Sequence, residues 1–454
     1  MPRLVNAAPP AKAHLATLSR IGYDFNTAVS DILDNSIAAK AQDIRIEFFL
    51  SDNAAIFFII DDGSGMTESE LIKNMSIGCK DPSEDRVSGD LGRFGAGLKT
   101  ASFSQAGVVT VITKTADSCL SAAVWDKSII EEHGWQLQVL DPVEIKEILP
   151  PNNDYTGKGT IVRWDGIDII KALLHSPDKQ LQIDKLCDSL HSHIALYFHR
   201  FLSESPAIKI KINNRLVSPI DPFMNHIKGS EELPTASLRG GKVGKDRIEI
   251  QPYRLPFLSN MSQSDIDYYG GEVSIRQNQG LYIYRERRLI IAGQWMGLQK
   301  YSSLAGLTRI KVDIPSSLDN EWSTDVKKSS LQIPPKIKDQ IKRLISKPVA
   351  SSRGAYTYRG RQETANQFWL INKDERNNLI TYEIDPTNSD LRAITDRLSP
   401  SEKRQFVQYL TSLSAAIPIN HIYASMGNSS RSIAQNSLSS DEKIKALIAS
   451  LNDE

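Results

Sequence analysis

A chain of 454 residues exceeds what one ordinary hydrophobic core serves, so two or three domains are expected. Hydrophobic residues at 40% and charged residues at 24% are those of a soluble globular protein, and no apolar stretch approaches the roughly 20 residues of a membrane span. Lys plus Arg equals Asp plus Glu at 54 each, so overall charge gives no reason to expect nucleic acid, and any basic surface must be local. Met1 to Pro10 hold one Arg and no sustained apolar run, unlike a secretory leader. Cys79, Cys119 and Cys187 are too scattered for a disulfide framework or a zinc site, and a cytoplasmic location is the expectation.

In chain order, Ala28, Val29, Ile32, Leu33, Ser36 and Ile37 recur at helical spacing behind the capping residues Asp24 and Asn26, which predicts a helix over 26–40. Alternation over 44–50 and the apolar run 55–60, separated by Ser51, Asp52 and Asn53, predict a hairpin. Thr67 and Glu70 have the spacing of a capping box before Leu71. The polar, glycine-rich run 78–97 has the composition of a lid over a ligand. Strands are predicted at 108–114, 120–125 and 160–164. Beyond Asp165 a helix at 181–198 and strands at 208–212, 272–275, 281–284 and 308–314 form a second α/β pattern. After Pro334 and Pro335 the chain turns helical and charged, with a Ser/Asn-rich linker at 428–440 and a short final helix. The resulting division is 1–165, 166–335 and 336–454.

The chemistry lies in four short segments. Asp31 and Asn35 stand four apart on one face of the first helix. An Asn oxygen is a hard neutral ligand for Mg²⁺, and a carboxylate one turn earlier can orient an attacking water; a solvated helix face is the alternative. Asp61, Gly63 and Gly65 form Asp-x-Gly-x-Gly after an apolar strand, where a carboxylate can accept from an exocyclic amine such as adenine N6; a plain turn has the same letters. Gly92, Gly95 and Gly97 precede the helix-like Leu98-Lys99-Thr100-Ala101, a start that presents backbone N–H groups to phosphate while Lys99 adds a charge. The glycines fit neither a dinucleotide fingerprint, lacking a preceding strand, nor a P-loop. Gly159 and Thr160 open a later strand, with a hydroxyl able to reach a buried carboxylate or an adenine-bound water.

Four weak signals in this fixed order resemble the GHKL superfamily of Bergerat-fold ATPases. The segments Asp31-Ile-Leu-Asp-Asn35, Asp61-Asp-Gly-Ser-Gly65-Met66 and Gly92-Arg-Phe-Gly-Ala-Gly-Leu-Lys99 look most like the MORC branch and its prokaryotic, MutL-like relatives. The implied fold class is α/β: an α+β two-layer sandwich that binds ATP, then an α/β transducer domain, then a mainly helical C-terminal region. By resemblance, Asn35 ligates Mg²⁺ and Asp61 contacts adenine, with Gly63, Gly65 and Met66 in the same motif. Gly92, Arg93, Phe94, Gly95, Ala96, Gly97, Leu98 and Lys99 wrap the phosphates, and Thr160 supports the adenine pocket. Asp31 takes the general-base position, where the family usually has Glu; it is shorter by about 1.5 Å, which points to slow hydrolysis. Asp34 is a conceivable substitute base, but it lies off the Asp31/Asn35 face.

Gly280 to Ile291 resembles a transducer strand segment, and Trp322 to Ser329 the loop that returns a lysine, Lys327 or Lys328, to the γ-phosphate. Residues 336–361 carry eight Lys and Arg, interleaved with Tyr356 and Tyr358, and read either as a DNA contact or as a solvated helix and linker face. The resemblance implies a homodimer that closes on ATP and a partner nuclease or restriction system in phage defence. A nucleotide-gated binding module with little turnover and a chaperone-like ATPase are the alternatives. A histidine kinase is disfavoured because His14 lies in no phosphoacceptor pattern.

Overall fold

The structure is a computed structural model, and it describes residues 10–20, 23–50, 55–76, 97–151, 157–168, 178–240, 246–302, 305–319, 322, 333–335, 337–345, 369–374 and 379–418. One compact unit covers 1–301 and 307–349; a second holds 302–306 and 350–454.

Helix α1 (Ala11–Ser19) precedes α2 (Phe25–Ala38), which Asp24 caps by accepting from the Thr27 N–H at 2.9 Å. The hairpin follows as β1 (Asp43–Leu50) and β2 (Ala55–Asp61), antiparallel with Ile44 opposite Asp61. Both halves of the capping box form at α3 (Glu68–Met75). Then come α4 (Gly97–Gln105), β3 (Val108–Lys114), β4 (Ser121–Asp126), α5 (Lys127–His133), β5 (Gln138–Leu140), α6 (Pro142–Ile148) and β6 (Gly159–Asp165). Helices α7 (Lys179–Tyr197) and α8 (His199–Ser203) lead to β7 (Lys209–Ile212) and β8 (Arg215–Leu216).

These eight strands make one sheet in the order β5-β4-β3-β6-β2-β1-β7-β8. Its side chains alternate between two layers. Phe57, Ile59, Val109, Val111, Val162 and Trp164 join one core with Ala28, Val29, Ile32 and Leu33 of α2. Phe58, Ile60, Ile112 and Ile161 point the other way and pack with Ile145 of α6. The strand predicted at 208–212 is present but runs parallel to β1, so it completes the first sheet instead of entering the second.

A six-stranded sheet follows: β9 (Glu231–Glu232), β10 (Ala236–Gly240), β11 (Asp246–Arg254), β12 (Gly280–Arg285), β13 (Arg288–Gln294) and β14 (Thr308–Ile314), in the order β10-β11-β14-β12-β13 with β9 on β11. Between β11 and β12 lie α9 (Gln263–Tyr268) and α10 (Gly271–Gln277). The strand expected at 272–275 is therefore a helix. Val273 is exposed and Ile275 buried, whereas residues two apart on a strand share a face, and the left-handed Gly270 (φ 81°) starts the helical turn.

Residues 337–345 are helical, with Ile337, Ile341 and Ile345 buried and Lys342 and Arg343 exposed. The rest of the basic segment falls largely outside the described residues, as do the linker and final helix beyond 418. In the second unit a hairpin, β15 (Trp369–Asp374) with β16 (Leu379–Ile384), precedes α11 (Ser389–Thr395) and α12 (Pro400–Ala415). Among the described residues no helix is long and apolar enough to cross a membrane.

Candidate functional site

Helix α2 is buried on nearly every side, and four of its buried residues are polar: Ser30, Asp31, Asp34 and Ser36. Each has a partner, as buried polar groups require. Ser30 donates to the Asn26 carbonyl at 2.8 Å and lies 3.0 Å from His193 Nε2. Asp31 accepts from the Tyr23 hydroxyl at 2.9 Å, Asp34 meets Arg288 of β13 at 3.1 Å, and Ser36 donates to Asp61 Oδ2 at 2.8 Å.

Asp61 ends β2, and the register puts it level with Thr160 of β6, which in turn faces Thr113 of β3. Along each strand the alternation carries this row onto the layer that holds Phe57, Val109 and Trp164, so three polar side chains close the end of an apolar sheet face. Thr113 Oγ1 donates to the Gly159 carbonyl at 2.9 Å and accepts from the Met66 N–H at 3.0 Å; Thr160 Oγ1 lies 3.1 Å away. A hydroxyl has one proton, so Thr160 is the donor in that contact. The Gly63 N–H donates to Asp61 Oδ1 at 2.9 Å. Asp61 thus accepts from Ser36, Gly63 and the Thr160 backbone, and a carboxylate can take more.

Two glycines are required by contact. Gly65 has φ +68°, and a Cβ there would lie 1.8 Å from the Lys114 carbonyl oxygen; at Gly159 (φ +136°) it would lie 2.0 Å from that of Asp61. Half-buried Met66 packs against the main core.

Midway along α2, a Cβ on Gly97 would lie 3.5 Å from Asp31 Oδ2, which places the first residue of α4 beside that carboxylate. Half-buried Leu98 packs against the main core. Lys99 is buried, and its ammonium donates to the Ser76 carbonyl at the C-terminal cap of α3, where a helix dipole favours a cation. Asn35 is exposed, one turn from the buried Asp31. A cavity of about 90 Å³, roomy enough for a few waters, opens beside Asp31 and is lined also by Thr27, Ser30, His193, Arg288 and Gln294.

The structure therefore gathers Asp61, Gly63, Gly65, Met66 and Thr160 near the C-terminal end of α2, and Asp31, Gly97 and Leu98 around its middle. Gly92, Arg93, Phe94, Gly95, Ala96, Lys327 and Lys328 lie outside the described residues. Four side chains of the cluster were not singled out as site residues in the sequence: Tyr23, Ser36, Thr113 and Arg288. Thr113 leaves a trace there as a hydroxyl on the inward period of Val109 and Val111, and Ser36 as a hydroxyl on the apolar period of the first helix.

The family model described as histidine kinase-, DNA gyrase B- and HSP90-like ATPase matches residues 23–158. That interval begins at Tyr23 and takes in α2, the Asp61 turn and the start of α4. Residues 23–158 are a GHKL ATPase domain. The chain is also similar to the Caenorhabditis elegans protein named ATPase morc-1, at 28% identity over 116 residues, 26% of this chain and 13% of that protein. The chain thus matches only a small part of its relative's length.

Within the GHKL domain, burial raises the Asp61 carboxyl above the usual carboxylate range; hydrogen bonds from Ser36, Gly63 and Thr160 offset this only partly. Beyond that interval, burial and then Arg288 lower His193 to about 4, and burial with Arg200 lowers His199, 2.7 Å from the Tyr284 hydroxyl, to about 3. Both imidazoles are neutral in the fold. Their contribution to stability is present above the ordinary value of 6.5 and is lost as pH falls toward 4 and then 3. At about 1.4 kcal/mol per unit this amounts to about 3 to 5 kcal/mol for each. Calorimetry should find Tm falling steeply between pH 6 and 4 (roughly the titration span of these groups), and less steeply in His199→Gln. An equal slope in that variant would reject the assignment.

Proposed function

We propose that this protein binds Mg-ATP between the Asp61 turn and the start of α4 and hydrolyses it slowly, closing residues 78–97 over the phosphates and dimerising as it does so. The observation that carries this reading is the buried Asp61 carboxylate, 6% exposed, at the end of an apolar sheet layer with acceptor capacity beyond its hydrogen bonds from Ser36, Gly63 and Thr160. An adenine exocyclic amine is a donor that suits it. Thr160, held by Thr113, supports the same pocket, while Gly65 and Gly159 let the backbone pass close beneath it.

Phosphates would meet the N-terminus of α4 at Gly97, Leu98 and Lys99, with residues 92–96 before them, and Lys327 or Lys328 would arrive from the second sheet's side of the chain. The exposed amide of Asn35 offers the hard neutral oxygen that Mg²⁺ takes alongside phosphate oxygens, and the ion would neutralise phosphate charge there. Asp31 orients the attacking water from beside the cavity it lines. The relative's name, an ATPase, supports turnover. Exposed Lys342 and Arg343 support a DNA contact through 336–361. Action in the cytoplasm with a nuclease or restriction partner in phage defence follows from the MORC-like resemblance.

The second reading is a nucleotide-gated module with little turnover, favoured by the short Asp31 carboxylate already engaged by Tyr23. Steady-state hydrolysis, with and without DNA, separates the two. The wild type should turn over slowly, Asp31→Ala should lose about 10²-fold in kcat with little change in ATP affinity, and Asp31→Glu should gain. A wild type no faster than Asp31→Ala, yet saturated with ATP, would establish the gated module.

A further inference from the structure

The hairpin that joins β12 to β13 turns through Glu286 (φ 46°) and Arg287 (φ 70°). Two-residue turns with both positions left-handed favour Asn-Gly, and charged residues there are strained. What offsets the strain is a different anchor for each of four successive residues. Arg285 grips Asp319 through two bonds of 2.7 Å. Glu286 accepts from the Ser316 N–H at 3.0 Å and its hydroxyl at 2.7 Å. Arg287 reaches Glu204 at 3.0 Å, and Arg288 reaches Asp34 of α2 at 3.1 Å. The Arg288 guanidinium also donates to the carbonyls of Tyr197 at 3.1 Å and Leu289 at 2.8 Å, and lies 3.8 Å from the centroid of the Phe198 ring.

Asp34 and Arg288 are 1% and 8% exposed, so neither charge has water to fall back on. Asp34 is the residue before Asn35, and Arg288 lines the same cavity as Asp31. Ser316 and Asp319 belong to the chain that leaves β14 and runs on toward Lys327 and Lys328.

We propose that Arg288 is a positioning residue which, through the Arg285–Arg288 turn, ties the helix bearing Asp31 and Asn35 to the segment that follows β14, so that nucleotide-driven changes at one are transmitted to the other. This rests on the reading of α2 as the nucleotide helix. Hydrogen bonds to Asp34, Tyr197 and Leu289 and the stacked Phe198 ring hold the guanidinium in one orientation, which a lysine could not reproduce. A shift of α2 therefore pulls on the turn, and with it on Ser316 and Asp319. Asp34 is thereby removed as a candidate base: its carboxylate is committed to the link.

The test compares wild type, Arg288→Gln, Asp34→Asn and the double variant. It measures the affinity of a non-hydrolysable ATP analogue by calorimetry, dimer formation with that analogue by sedimentation, and kcat. Arg288→Gln should keep analogue affinity within about threefold, while dimer formation weakens and kcat falls by about tenfold or more, the pattern of lost coupling. The double variant should be no worse than the poorer single one, since both remove one interaction. If Arg288→Gln fails to fold, Asp34→Asn, which keeps the side-chain shape and an acceptor, carries the same comparison. Unchanged dimerisation and kcat would overturn the proposal, as would a loss of analogue affinity equal to the loss of turnover. A wild type that binds no analogue would instead sink the reading of α2 itself.

Discussion

Replacing Asp61 by alanine should lower ATP affinity by about 10²-fold or more while leaving the protein folded. The magnitude follows from removing a charged acceptor for a buried amine, worth about 1.5–3 kcal/mol, and leaving that amine desolvated. Ser36 and Gly63 would also lose their acceptor. Asp61→Asn is the sharper variant, because it preserves shape but presents an NH₂ group to a ligand NH₂ group. The raised Asp61 pKa adds a sign. A carboxyl whose folded value lies above its unfolded one stabilises the fold at low pH and loses that contribution as pH rises through the folded value. Without nucleotide, Asp61→Asn should therefore have a Tm at neutral pH no lower than wild type. With nucleotide, wild-type affinity should decline on acidification, starting at a pH above the ordinary carboxylate range. Calorimetric titration and thermal scans at matched pH check both, and full ATP affinity in Asp61→Asn would remove this carboxylate from the site.

Asn35→Ala should abolish binding of Mg-ATP. This side chain is the one protein ligand assigned to the ion, and Mg²⁺ dehydrates reluctantly, so loss of its oxygen donor is not made good by a flexible neighbour. The position is exposed and its backbone carbonyl accepts from the Ala39 N–H at 2.9 Å, a bond alanine retains. Stability should therefore change by less than about 1 kcal/mol, as for surface substitutions in a helix. Calorimetry with ATP in the presence of Mg²⁺ or of EDTA distinguishes the roles: wild type should lose affinity on chelation, and the variant should be weak under both conditions. Undiminished Mg-ATP affinity in the variant would reject the assignment.

Local rules made the helix layer and the hairpin readable. The Asp24 cap, the Thr67/Glu70 box and the alternation of β1 are each written within a few residues. So was the order of acid, glycines and hydroxyl that leads to Asp61 and Thr160. What escaped was set by distance along the chain. Ser36 and Thr113 matter because three strands end level with one helix, and the Arg288 pairing with Asp34 joins residues 254 apart in sequence. Strand β7 read correctly as a strand, but its choice of β1 as neighbour has no local mark. Glu272 to Ile275 misread for a different reason: four residues cannot separate a period of 2 from one of 3.6, and burial decided it. Helices α5 and α6 have local start signals, the latter an Asp141/Glu144 box with Pro142 at its first position, but each is only seven residues long, too short for a helical period to stand out.

The parallel partner of β1 has a bearing on biosynthesis. Until residues 209–212 leave the ribosome, β1 presents an unsatisfied row of amides and carbonyls, and Ile44 and Ile46 lack the neighbours Ile210 and Ile212. An excised fragment stopping at Asp165 would keep that raw flank for good and invite edge-to-edge stacking between molecules. The nucleotide-binding layer matures only once the nascent chain has looped back, so its folding is bound to the synthesis of what lies downstream.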